Sequence, residues 1–184
     1  MDNEIAWKAR GNIISAWIIM GWVAFGLLIA LPVPDWPLGS IPILDPMVGY
    51  LRLGIPSIGA LHEVSDFPNK TARVLSVYWV FVPVQVLVFW RFRHVWARRN
   101  GLRGRRLITT LVGVATITLG SVWMMMVRFG QNSHEHGTLA SIERLISALP
   151  VALGFVGQLV FIAFSVAISI TLVLGSYLVG GDGE

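Results

Sequence analysis

Four stretches of this chain contain no charged residue: Gly11 to Pro34, Val74 to Trp90, Leu107 to Val127 and Leu145 to Gly181, of 24, 17, 21 and 37 residues. No other feature narrows the fold so far. A helix rises about 1.5 Å per residue, so about 20 apolar residues cross the roughly 30 Å of bilayer hydrocarbon. Lipid offers the backbone no hydrogen-bond partners, which leaves the helix as the form for segments of this length. The chain is 55% hydrophobic and 13% charged, with a mean hydropathy of +0.70. That apolar surplus exceeds what an aqueous core of this size can hide. The fold class expected is therefore all-α: one polytopic integral membrane domain over 1–184, with four transmembrane helices at about 11–34, 73–92, 107–128 and 150–177.

The first and third stretches fit a crossing directly. The second is short, and Arg73 and Arg91 at its ends are expected to snorkel toward water. Asn69 and Thr71 are read as its caps, and the helix as running on to Asn100 until Gly101 stops it. Pro83 inside it predicts a kink. Gly130 follows the third helix. The fourth stretch is too long for one crossing and too short for two with a turn. With Pro150 near its start, Thr138–Ala148 is read as a separate surface helix that bends into the span. The first stretch exceeds the apolar core of about 7–15 residues typical of a signal peptide. The region Pro32 to Pro37 also lacks a small-x-small cleavage pattern, so this stretch is read as a retained span.

Basic residues set the expected direction of threading. Seven arginines, Arg91, Arg93, Arg98, Arg99, Arg103, Arg105 and Arg106, fall in sixteen residues. With Lys8 and Arg10 they put nine basic residues on one side of four crossings. The other side holds five: Arg52, Lys70, Arg73, Arg128 and Arg144. The positive-inside rule then places both termini and loop 93–106 in the cytoplasm, and loops 35–72 and 129–149 outside. The location read from this is the cytoplasmic (inner) membrane of a bacterium. The arginines are expected to fix topology and to touch anionic headgroups, at about 1 kcal/mol each near such a surface. A cytoplasmic partner is the alternative use. A pI of about 10.1 would suggest nucleic acid in a soluble protein. Here no nucleic-acid fold surrounds Phe92 and Trp96, so nucleic acid is not expected as a partner. Trp7, Trp90 and Trp96 at one face and Trp36 and Trp123 at the other fit the aromatic belts of the two interfaces.

The loop 35–72, taken with Pro34, holds six of the nine prolines and is apolar. Asp45-Pro46 reads as a cap and first helical residue, with a stop at Gly54. Ser57 reads as the start of a second turn through His62. One or two short interfacial helices follow from this, serving as lipid contact or as a contact surface. His62, Glu63 and Asp66, with His134, Glu135 and His136 in the second loop, have side chains that suit zinc or copper(II). H-x-H is short and no helical register fixes these ligands. A solvated loop is the better reading, and no metal or other cofactor is expected.

The four uncharged stretches contain no Asp, Glu, His, Lys or Arg. That speaks against a proton-driven pump and excludes haem held by histidine pairs in the bilayer. Gln85 and Gln158 are the strongest polar groups inside and are expected to bridge helices. Small residues recur four apart at Thr109 and Gly113, Thr116 and Gly120, Ala163 and Ala167, and Ser165 and Ser169. They mark the third and fourth helices for packing within the chain or against a partner. Met124 to Met126 are consecutive and point in three directions, which suits packing better than copper. The chain has no cysteine, no G-x-S-x-G, H-E-x-x-H or P-loop, and no repeat relating its halves. The function expected is a non-enzymatic structural, accessory or assembly subunit of a larger complex in the cytoplasmic membrane. Its partners would be the lipid bilayer and other integral membrane proteins or copies of itself. The alternatives are an oligomeric channel or transporter component, with Gln85 or Gln158 lining a path, or a toxin-immunity or exclusion protein.

Overall fold

The computed structural model describes residues 2–92, 105–128 and 138–179. Every regular element among them is helical: α1 (Asp2–Ala30), α2 (Leu44–Gly54), α3 (Pro56–Val64), α4 (Pro68–Arg91), α5 (Arg105–Trp123), α6 (Thr138–Ala148) and α7 (Gln158–Val179). A π-helical turn, Met124–Arg128, extends α5. A helical turn Pro150–Ala152 and a second π turn, Leu153–Gly157, lead without a break into α7. Four of these rods are long and apolar enough to cross a membrane, with windows Ile13–Ala30, Pro68–Arg91, Ile108–Met126 and Pro150–Ser176.

The centre of the bundle is the contact between α4 and α7. Thr71, Leu75, Tyr78, Val82, Gln85 and Phe89 are all buried on α4, spaced alternately four and three apart. That spacing keeps one stripe of a helix facing one neighbour. Tyr78 meets Phe161 with ring centroids 5.4 Å apart, Gln85 meets Ser165, and Val86 meets Ser169. Residue numbers rise together on both helices, so the two run parallel. The chain returns between them through α5, which packs on the far side of α7 and bonds it through Thr118 and Thr171, Oγ1 to Oγ1 at 2.8 Å. α1 packs on the π turn Leu153–Gly157 and the first turns of α7. Its ring contacts lie at Trp22 and Phe25, both against Phe81.

One end of the bundle is capped. α2 and α3 fold over the start of α4, and α6 lies over α3 and the π turn of the last span. Prolines start three of these segments: Pro56, Pro68 and Pro150 each occupy the first helical turn, where no backbone N–H is required. Ile55, extended between α2 and α3, marks the break that Pro56 imposes on the residue before it. Ser65 and Asp66 tie α6 down: Ser65 Oγ donates to the Ser147 carbonyl at 3.0 Å, and the Asp66 N–H to the same oxygen at 3.1 Å. Thr138–Ala148 is thus a separate helix that turns into the span at Pro150, as read from the sequence.

The caps differ from the sequence reading. α4 begins at Pro68 with no side-chain cap. Thr71 instead shares a 2.8 Å hydrogen bond with Ser65, and Asn69 Oδ1 lies 3.4 Å from His62 Nε2. α3 starts at Pro56 rather than Ser57, and Ser57 is buried. Asp45 does not cap α2. Its carboxylate turns back to accept the N–H groups of Gly39 and Ile41, both at 2.8 Å. Gly39 can present its N–H there because its φ of +104° lies in the left-handed region open to glycine. α4 runs through Pro83 as one helix to Arg91; its proposed continuation to Asn100 lies outside the described residues.

Candidate functional site

α4 carries buried polar groups at three levels, and each level fastens it to different parts of the chain. At the capped end lies Arg73. Rather than snorkelling, it is wholly buried and turned inward. Its Nε donates to Asp45 Oδ1 at 2.6 Å and its Nη2 to Asp45 Oδ2 at 2.9 Å. Nη1 donates to the carbonyls of Pro34 and Trp36, and Nη2 also to that of Pro37, at 2.8–3.0 Å. The prolines explain this. They leave the 34–37 backbone without helical partners for its carbonyls, and a guanidinium is the one side chain whose fork of donors can serve several of them together with a carboxylate. The hydrogen bond from Arg73, then those from Ile41 and Gly39, hold the Asp45 carboxyl well below the usual carboxylate range, against the opposing effect of burial. Lys70 adds a second tie to the same segment: its N–H donates to Asp35 Oδ1 at 2.7 Å and its Nζ to the Leu31 carbonyl at 3.2 Å.

One and a half turns further along α4, the Tyr78 hydroxyl stands where α1, α4 and the last span meet. It lies 3.3 Å from the Gly26 carbonyl, 3.2 Å from that of Leu153 and 3.4 Å from that of Gly154. The backbones are close here because two glycines face each other. A Cβ placed on Gly26 would overlap the Gly154 carbonyl oxygen and come within 2.7 Å of Gln158 Cβ; one placed on Gly154 would come within 3.0 Å of Ala30 Cβ. Gly26 and Ala30 are the small pair, four apart, of the first span. Two turns further still, Ser165 Oγ donates to Gln85 Oε1 at 2.8 Å, with both residues fully buried. Ser169 Oγ donates to the Ser165 carbonyl at 2.8 Å and approaches that of Val86 at 3.3 Å.

Of the residues singled out in the sequence, Gln85, Gln158, Ser165 and Ser169 all lie in this seam. Gly113 and Gly120 do not. They sit on the exposed face of α5 with open space where a Cβ would stand, so no helix among the described residues packs on them. The glycines in close contact are Gly26 and Gly154. The four-residue small spacing in the first span signals them, but it takes on meaning only beside a partner. The Asp45–Arg73 pair left no such signal, since its members lie 28 residues apart across a proline-rich loop.

His62 is half-buried and Glu63 exposed on α3. No three metal-ligating side chains gather among the described residues. His134 and His136 lie outside the described residues, as do Arg93, Arg98, Arg99 and Arg103. Arg91 is exposed at the end of α4, and Arg105 and Arg106 open α5. What the seam can do chemically is hold helices in register: it carries hydroxyls, amides and one ion pair already saturated with donors. The chain matches no protein-family model, no curated protein and no solved structure.

Proposed function

We propose that this chain is a non-enzymatic accessory or assembly subunit of a larger complex in the bacterial cytoplasmic membrane, crossing it four times with both termini and the arginine loop in the cytoplasm. In this reading the capped end faces outward. α2 lies at the outer surface with its buried face, Asp45 and Val48, on the bundle and its uncharged face, Ile43, Tyr50 and Leu53, toward the headgroup zone.

The observation that carries the proposal is the unequal burial of the four spans. The chain covers 50% of the window Pro68–Arg91 and 39% of Pro150–Ser176, but only 11% each of Ile13–Ala30 and Ile108–Met126. The windows Ile13–Ala30 and Ile108–Met126 therefore each keep an open face along their length, and α5 does so with Gly113, Thr116 and Gly120 on it. Helices approach closely in lipid where small residues allow it. A channel lined by Gln85 or Gln158 is less well supported, because both amides are closed inside the seam.

Extraction from native membranes in a mild detergent, followed by mass determination and partner identification, tests the proposal. Recovery as part of a stoichiometric assembly, lost on Gly113→Leu with Gly120→Leu, is the expected result. Recovery of only the free 20.3 kDa chain would refute it.

A further inference from the structure

The node around Tyr78 contains more hydrogen-bonding capacity than the protein itself uses. Gln158 is fully buried, and neither its Nε2 nor its Oε1 has a protein partner. Its Cβ and Cγ lie against Gly26, and it stands one turn after Gly154 on the same face of the last span. A helical side chain leans back over the turn that precedes it, which carries this amide toward the Gly154 turn. There the Gly26, Leu153 and Gly154 carbonyls converge on a single hydroxyl at 3.2–3.4 Å. A hydroxyl has one hydrogen to give. Beyond the backbone bonds of their own helices, these three carbonyls have a single side-chain hydroxyl between them, while Gln158, packed against Gly26, carries two N–H donors and an acceptor oxygen with no protein partner.

An amide left dry in this position bears the full desolvation cost of each unsatisfied group, and hydrocarbon supplies no remedy. We propose that this node is a hydration site: ordered water held inside the bundle between the Gln158 amide and the carbonyls of Gly26, Leu153 and Gly154. The chemistry of the node selects water over other occupants. The node needs a molecule that both donates and accepts. A monovalent cation would satisfy the oxygens and leave both N–H bonds of Gln158 unserved. Buried waters in proteins make about three hydrogen bonds to groups of this kind. The site coincides with the π turn Leu153–Gly157, where the pattern of backbone bonds along the last span changes. Such turns are frequent where a helix serves a function beyond packing.

The test uses the whole chain in lipid bilayers, with its three glutamines, Gln85, Gln131 and Gln158, labelled with ¹⁵N in their side chains. Proton-detected solid-state NMR then measures magnetisation transfer from water to each amide. The Gln158 resonance is assigned by its loss in Gln158→Met. Should that variant not fold, Gln–Leu pair labelling assigns the resonance in the unaltered chain, because only Gln158–Leu159 meets it. The expected result is a water cross-peak at the Gln158 side-chain amide that keeps its intensity when sodium and potassium are replaced by choline. A resolved Gln158 resonance with no water cross-peak would overturn the proposal. So would a Gln158 shift that follows the sodium concentration without a water cross-peak, which would assign the node to a cation.

Discussion

The two ends of this bundle are built on different terms. At the capped end, α2, α3 and α6 wrap the first turns of α4 and the last span. An ion pair, three proline-segment carbonyls and the Ser147 carbonyl are bound there by buried or half-buried donors. At the other end, the described parts of α1 and α5 are largely uncovered: Trp17 is 68% exposed, Met20 60% and Val112 60%. The α4–α7 seam continues there through Ser169 and Phe89, and α5 meets α7 at Thr118 and Thr171. The capped end thus specifies its own structure with directional bonds. The open end offers lipid-compatible surface and leaves its geometry to whatever surrounds it.

The sharpest way to break this comparison is to remove a charge from each end. Arg73→Met leaves Asp45 buried and uncompensated, and it should lower stability by about 3–5 kcal/mol. Arg91→Met, at the exposed end of α4, should change it by less than about 0.5 kcal/mol. Thermal unfolding of the two variants in the same detergent reads the difference, and equal losses would abolish the distinction between the ends.

Acid probes the same pair. The folded Asp45 carboxyl titrates well below its unfolded value, so the unfolded chain binds the extra proton. The stabilisation is therefore complete above the unfolded pKa of about 3.9 and is lost as pH falls from there toward the folded value. Tryptophan emission followed from pH 6 downward should report release of the segment bearing Trp36 only below about pH 4. A transition near neutrality would not come from this pair.

Gly26→Ala puts a Cβ into the Gly154 carbonyl, and overpacking of this kind costs about 1–3 kcal/mol. Ser165→Ala strips Gln85 Oε1 of its donor and should cost about 1 kcal/mol, in line with interhelical hydrogen bonds in membranes. The smallest effects belong to α5. Gly113→Ala and Gly120→Ala meet open space and should leave the isolated chain unchanged or up to about 1 kcal/mol more stable, from helix propensity. Unfolding of Gly26→Ala beside Gly113→Ala sharpens the comparison most cheaply, since one substitution type is read in two settings.

The four rods were legible because each is a long apolar run, and uncharged length is easy to see. The break at Pro150 was legible for a similarly local reason, since proline constrains its own residue and the one before it, whereas the short helices were legible as segments but begin at Leu44 and Pro56 rather than at the residues read as their starts. Gln85, Ser165 and Ser169 were singled out one by one, but their pairing depends on α4 and α7 being parallel neighbours, which no local pattern states. Arg73 was misread because a terminal arginine beside an apolar run normally reaches for water. Here five acceptors from a folded-back loop outcompete the solvent. Tyr78 went unremarked, although it falls in the alternating stripe from Thr71 to Phe89.

The parallel course of α4 and α7 bears on how the molecule is made. The two central rods point the same way, so the ribosome must deliver α5 and α6 before the second rod has its mate. Until the last span emerges, Gln85 lacks its Ser165 partner, and the Tyr78 hydroxyl has only the Gly26 carbonyl of α1 to bond. A chain halted before Pro150 would leave the central seam half-built, with Gln85 and the outer reach of Tyr78 waiting for the rod that Pro150 leads.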